Sequence, residues 1–191
     1  MILIFGAPSG SGKSTLVNYL LQKRNDLEFS ISATTRAPRG QEVNGKEYYF
    51  ISNQAFEDLI RENKLVEWQQ VYSGTYYGTL RSEIERIEAK HHHVIFDVDV
   101  KGGANLKRLF GDKALSIFVA PPSVEELRRR LVGRATDSPE KIEERLAKAA
   151  EELTYKPQFD VVIVNDDLQK AEQKLDEVVG YFLQKAGTNI G

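Results

Sequence analysis

The sequence predicts an α/β fold with a parallel sheet, on three observations. Five short runs, at residues 2–5, 29–33, 94–98, 115–120 and 161–164, are apolar on both faces, as strands covered by helices are. Stretches of helical spacing lie between them, the alternation expected of a parallel sheet built from crossover units. The first run leads directly into a loop of small residues and then a helix, the order in which such folds bind phosphate.

Composition narrows the possibilities further. With 191 residues, 41% hydrophobic and 28% charged, the chain can bury one core and carry insertions. Cysteine is absent, which excludes disulfides, thiolate nucleophiles and cysteine metal sites. Lys and Arg number 26 against 28 Asp and Glu, a net charge of -2, so a generally basic nucleic-acid binder is excluded. No stretch approaches the roughly 20 apolar residues of a membrane span. The apolar start is broken by Gly6, Ala7 and Pro8 and has no cationic flank, unlike a signal peptide. These features lead us to expect a cytoplasmic protein with neither a membrane nor a nucleic-acid partner.

Taken in order, residues 2–5 read as a strand ended by Gly6. Residues 13–22 place Leu16, Val17, Leu20 and Leu21 at helical spacing. Residues 29–33 read as a second strand. Residues 34–77 break the alternation. There Asn44-Gly45 is a hairpin signal, residues 47–51 and 65–71 read as strands, and residues 54–63 read as a helix. The expectation is a small antiparallel insertion. Five of the eight tyrosines (Tyr48, Tyr49, Tyr72, Tyr76 and Tyr77) fall inside it. That concentration suggests a binding surface; the alternative is a local core of large side chains. Helices are expected after the later strands, at 105–110, 123–132, 138–155 and 167–184. Ser123 with Glu126 forms a capping box, and Pro139 stands at a first helical position.

The string APSGSGKS at residues 7–14 fits the phosphate-loop pattern, with Ala7 where a glycine usually stands. Small residues let successive backbone N–H groups curl around phosphate oxygens, and the helix N-terminus adds its positive end. Lys13 can reach the β- and γ-phosphates, and Ser14 can ligate Mg²⁺. A Gly-rich turn does not require Lys then Ser at its end, so nucleoside triphosphate binding follows. The strand 94–98 carries Asp97, with Asp99 two residues on. Alternate strand residues share a face, which places both acids at the carboxyl end of the sheet; the alternative is a pair of acids capping the next helix. Asp99 to Gly102 also spells D-x-x-G, but the N-K-x-D base reader of a GTPase is missing. The run His91, His92, His93 reads as a polar turn, since adjacent side chains diverge and no partner ligands flank them.

Together the strings APSGSGKST (7–15), SATTRAPR (32–39), VNGKEY (43–48), EW (67–68), YYG (76–78), DVD (97–99), APPS (120–123), GR (133–134) and VND (164–166) resemble guanylate kinases over nearly the whole chain. The T-T-R-x-P-R and N-G-x-x-Y strings are the specific ones. The resemblance implies a P-loop nucleotide kinase fold: a five-stranded parallel sheet flanked by helices, a small mixed α/β GMP-binding insertion, and a helical lid. It implies a core at 1–33, 79–124 and 149–191, an insertion at 34–78 and a lid at 125–148. It also implies transfer of the γ-phosphoryl group of MgATP to GMP, with ATP and GMP as small-molecule partners, in a monomer or homodimer. The alternatives are another small P-loop kinase with a different acceptor, or a non-catalytic binding module of the same fold.

By the same resemblance, ATP is held by Ala7, Pro8, Ser9, Gly10, Ser11, Gly12, Lys13, Ser14 and Thr15, with Asn165 at the adenine edge. Ser14 and Asp97 would serve Mg²⁺. Arg36 and Arg39, with Tyr48 and Tyr77, would hold the GMP phosphate; two guanidinium forks can clamp one phosphate. Glu67 and Asp99 would accept the N–H groups of guanine, which adenine lacks, and Ser32 and Thr79 would donate to O6 or N7. Lys13, Arg36, Arg130, Arg134 and Arg145 would be catalytic. Arg128 and Arg129 read as a solvated face balanced by Glu125, Glu126, Glu143 and Glu144.

Overall fold

The computed structural model describes residues 1–72, 74–133 and 138–187. The chain begins β1 (Ile2–Gly6), α1 (Lys13–Lys23), β2 (Leu27–Phe29), β3 (Ala33–Thr34), β4 (Tyr49–Phe50) and α2 (Asn53–Arg61). It continues β5 (Leu65–Tyr72), β6 (Thr75–Leu80), α3 (Arg81–Glu88), β7 (His93–Asp97), α4 (Val100–Phe110) and β8 (Ala114–Ala120). It ends α5 (Val124–Gly133), α6 (Pro139–Leu153), β9 (Val161–Val164) and α7 (Leu168–Gly187). Internal packing divides it into two compact units, Met1–Asn25 with Ile95–Gly191, and Asp26–Val94. Among the described residues no helix is long and apolar enough to cross a membrane.

A five-stranded sheet has the order β2-β7-β1-β8-β9. In the first unit β1 pairs parallel with β8, Ile2 opposite Ala114 through Gly6 opposite Phe118. Likewise β8 pairs parallel with β9, Ile117 opposite Val161 through Ala120 opposite Val164. Leu3, Ile4, Phe5, Ile117 and Phe118 are fully buried, which is why β1 and β8 are apolar on both faces; β9, at the sheet edge, leaves Val162 and Val164 exposed, so the expected cover on both faces does not extend to it. Gly6 and Gly103 both lie against the Phe159 ring: an added Cβ would stand 2.5 Å and 2.9 Å from it. Here glycine serves close packing of α4 on β1, and the helix expected at 105–110 begins earlier. Helix α4 starts at Val100, capped by Asp99. Helices α5 and α6 bury Leu127, Leu131, Ile142, Leu146 and Ala149 between them. Ser138 caps α6 through the Lys141 N–H, with Pro139 at its first position as expected. Only half of the Ser123 capping box forms: Ser123 Oγ accepts from the Glu126 N–H, while the Glu126 carboxylate turns to Arg129 and Arg130.

The second unit contains a four-stranded sheet of order β4-β3-β6-β5. Strand β6 is antiparallel to both neighbours, but β3 and β4 are parallel. The insertion is therefore mixed rather than antiparallel. Gly45 takes the expected left-handed turn, φ +80°, but the flanking chain forms only an isolated bridge between Asn44 and Tyr48, not a hairpin. The expected single strand at 29–33 divides into β2 and β3. At the switch the Ile31 N–H leaves the ladder and donates to Glu83 Oε2 at 3.0 Å, satisfying the backbone where the chain changes sheets. Helix α3, which carries Glu83, had no legible period: only Ile84 and Ile87 are apolar in its eight residues.

Candidate active site

The loop after β1 is shaped by its glycines. Gly10 and Gly12 stand at φ +92° and +89°, where a Cβ is strained, and the Ser11 N–H closes a turn onto the Pro8 carbonyl at 3.2 Å. Ala7 and Pro8 are buried, Ser9 is exposed, and Ser11 is buried completely. Lys13 opens α1, with Ser14 and Thr15 exposed in its first turn. This leaves the unbonded N–H groups of a helix start beside a turn of small residues, an anion cradle made of backbone.

Lys13 Nζ donates to the Val98 carbonyl at 2.8 Å and pairs with the Asp97 carboxylate. Asp97 is the last residue of β7 and half-buried. Asp99 is not on that strand. It is the N-cap of α4, and its Oδ1 accepts from the Gly102 N–H at 2.7 Å. Asp97 and Asp99 therefore do not share a strand face, contrary to expectation, and Asp99 performs the capping alternative. Ser14 and Asp97 offer a hydroxyl and a carboxylate oxygen. Among the described residues no group of three or more His, Cys, Asp or Glu could hold a metal. Such a sparse, hard donor set fits Mg²⁺, which keeps waters and substrate phosphates as most of its ligands.

Asn165 is buried just past β9, and its Nδ2 donates to the Ser11 carbonyl at 2.9 Å. A Cβ on Gly12 would lie 2.2 Å from that same Nδ2. Arg130 Nη2 donates to the Asn165 carbonyl at 2.8 Å, and its Nε to Glu126 Oε1 at 2.8 Å. Loop, β9 terminus and α5 are thus tied together through Asn165. Arg128 and Arg129 pair with Glu143 and Glu126 on the solvent side, as a solvated face does. Arg145 is half-buried on α6. Arg134 lies outside the described residues.

In the second unit the register of β5 on β6 places Glu67 opposite Thr79. The buried Thr79 hydroxyl donates to Glu67 Oε1 at 2.9 Å, fixing the carboxylate. Gly78 leaves room for β5 and α2: a Cβ there would stand 3.2 Å from the Glu67 carbonyl oxygen and 2.9 Å from the Phe56 ring. Ser32 is half-buried, and its carbonyl accepts from the Tyr49 N–H at 2.9 Å. Arg36 follows β3. Its Nε donates to the Tyr77 hydroxyl at 3.1 Å, and its guanidinium lies 5.0 Å from the centre of the Tyr48 ring. Arg39 is exposed three residues on. Two hydrogen bonds to Glu42 at 2.6 and 2.7 Å complete the arrangement. Arg36 and the Arg39 N–H hold the Glu42 carboxyl down to about 2.

The model of the guanylate kinase family matches residues 1–181 of this chain. The chain belongs to that family. It is 54% identical to the guanylate kinase of Bacteroides thetaiotaomicron over 96% of this chain and 90% of the relative. It is 50% identical to the guanylate kinase of Porphyromonas gingivalis, over 96% and 98% of the two chains. The crystal structure of guanylate kinase from Anaplasma phagocytophilum superposes with a TM-score of 0.75 at 31% identity, covering 95% of this chain and 85% of that one. Two carboxylates that hold the second unit's polar groups in place were not singled out from sequence. Glu42 follows the T-T-R-x-P-R string closely, and an acid so near two arginines was the available signal. For Glu83 the local signal was Arg86, three residues on in the same helix; its other partners, Ile31 and Tyr49, come from separate segments.

Proposed function

We propose that the chain performs its family's reaction, MgATP + GMP giving ADP + GDP, with the roles below. The observation that carries this reading is the phosphate loop, with left-handed Gly10 and Gly12 delivering Lys13 at the head of α1. Backbone N–H groups from Ala7 to Thr15 hold the ATP phosphates. Lys13 neutralises charge on the β- and γ-phosphates. Ser14 and Asp97 hold Mg²⁺, which supplies charge neutralisation of the triphosphate when bound. Asn165 holds the loop in place and borders the adenine.

Residues 34–78 form the GMP-binding insertion, 125–148 the lid, and the remainder the core. Arg36, Arg39, Tyr48 and Tyr77 take the GMP phosphate. Glu67, oriented by Thr79, accepts the N1 and N2 hydrogens of guanine, with Ser32 and Asp99 as further contacts. A carboxylate there repels the N1 lone pair of adenine, discrimination of about 1–3 kcal/mol for a bidentate contact. The GMP phosphate has a second pKa of about 6 and is largely dianionic at neutral pH, so it attacks without a strong general base. Catalysis is then positioning of an in-line transfer, with charge neutralised by Lys13, Arg36, Arg130, Arg134 and Arg145. A cytoplasmic location, and a monomer or homodimer, belong to the same proposal.

A coupled ADP-release assay with GMP, AMP, UMP and dTMP side by side tests it. Turnover with GMP at least about 100-fold above the others in kcat/KM is expected, since a site built to hydrogen-bond its substrate rejects analogues strongly. Equal turnover with another monophosphate would replace GMP as the acceptor.

A further inference from the structure

Arg36 is engaged before any substrate arrives. Its Nε donates to Tyr77, Nη1 to the Ala37 carbonyl at 2.9 Å and to Glu42 Oε2 at 2.6 Å, and Nη2 to Glu42 Oε1 at 2.7 Å. Those bonds use four of the five guanidinium N–H groups. The rings of Tyr48 and Phe50, at 5.0 and 5.5 Å, fix the plane of the group. What remains is a fork whose two parallel N–H groups meet a carboxylate. A phosphate takes an arginine fork in the same two-point geometry.

The segment that brings Glu42 there is lightly packed. Ala37, Pro38, Arg39, Gly40, Gln41 and Val43 are exposed, and nothing lies within 4 Å of a Cβ built on Gly40. Glu42 is held by Arg36 and by the Arg39 N–H at 2.7 Å. Its attachment is therefore polar and exchangeable: a stronger anion on the same fork can replace it without opening a core.

We propose that Glu42 is a resident competitor for Arg36, a carboxylate that keeps the guanidinium in phosphate-binding geometry and yields to the dianionic phosphate of a nucleoside monophosphate. The proposal rests on the reading of Arg36 as a holder of the GMP phosphate. It makes Glu42 a specificity-determining residue. A tethered carboxylate acts at the high effective concentration of an intramolecular group, so weak or singly charged anions do not take the fork. The phosphate exchanges one anion for another on a guanidinium that is already oriented and largely desolvated, its side chain 11% exposed.

Calorimetric titration of the wild type and Glu42→Gln with GMP and with guanosine tests this. Removing the competing charge is expected to tighten GMP about 2- to 5-fold, the worth of a partly exposed ion pair, with guanosine unchanged. Unchanged or weaker GMP binding in Glu42→Gln overturns the proposal and leaves Glu42 as a support that Arg36 needs. Arg36→Met separates that failure from failure of the parent reading. If GMP binding weakens toward the guanosine level, Arg36 holds the phosphate. If GMP binds Arg36→Met as it binds the wild type, the phosphate assignment itself is wrong and the exchange with it.

Discussion

Two segments of this chain are assigned to phosphate, and they are made of different materials. The loop after β1 is built from backbone: two left-handed glycines, a turn closed on Pro8, and the open end of α1, with Lys13 as its one cation. The segment after β3 is built from side chains. Arg36 is clamped by Tyr77 and Glu42 and boxed by rings, and in the same unit Glu67, on β5, is aimed by Thr79. A backbone cradle depends on conformation, so it tolerates no added atom at Gly10 or Gly12. A side-chain cluster depends on charge and hydrogen bonding, so it can be weakened by degrees without losing its shape.

The largest effect should come from testing the backbone half. Gly12→Ala places a Cβ at φ +89° and 2.2 Å from Asn165 Nδ2. The left-handed conformation alone costs roughly 1–2 kcal/mol, and relieving the clash moves the loop donors. Turnover should fall about 100-fold or more, the loss seen when an oriented donor is removed. GMP binding, measured by calorimetry, should be retained. Near-normal turnover would break the comparison, because the loop would then not depend on conformation.

An intermediate effect is expected from the side-chain half. Glu67→Gln keeps the shape and the Thr79 contact but removes the charge proposed to accept both guanine N–H groups. The ratio of kcat/KM for GMP over AMP should shrink about 5- to 100-fold, the worth of a bidentate base contact. If that ratio holds, guanine is read elsewhere.

The smallest effect sharpens the same contrast through stability. Burial pushes the Glu28 carboxyl up, but Lys90, Arg86 and His92 overcome it and hold it at about 2, against an ordinary 4.5. Burial likewise opposes Glu83, and Arg86, the Ile31 N–H and Tyr49 still bring it below its ordinary value. Carboxyls lowered on folding stabilise fully above about pH 4.5 and lose that contribution as pH falls toward 2. Glu28→Gln should lower the melting temperature by a few degrees at pH 7, within the range of a single disrupted ion-pair network, and flatten the acid limb below pH 4.5. Parallel melting curves for the two proteins from pH 7 to 3 would show that the network does not support this unit.

Legibility in the sequence follows the same division. Strands β1, β7, β8 and β9 and helices α1, α2, α5 and α6 were readable because each signal is local: an apolar run, a period or a cap. The phosphate loop was readable for the same reason. The insertion was found but misjudged in detail. Parallel pairing of β3 with β4 depends on contacts across intervening chain, which a turn signal at Asn44-Gly45 does not carry. Helix α4 begins before the expected residue 105, and Gly103 within it packs against Phe159, 56 residues on, which offsets its low helix propensity.

By itself the sequence determined the α/β class, the anion-binding loop and the residue types available to two nucleotides, since these depend on neighbours a few positions apart. Only the tertiary structure decided which of those residues are already engaged. It turned Asn165 onto the Ser11 carbonyl, set Thr79 behind Glu67 and laid Glu42 on Arg36. Each is a choice among hydrogen-bond partners, and a polar group losing water takes whichever partner the fold brings within about 3 Å.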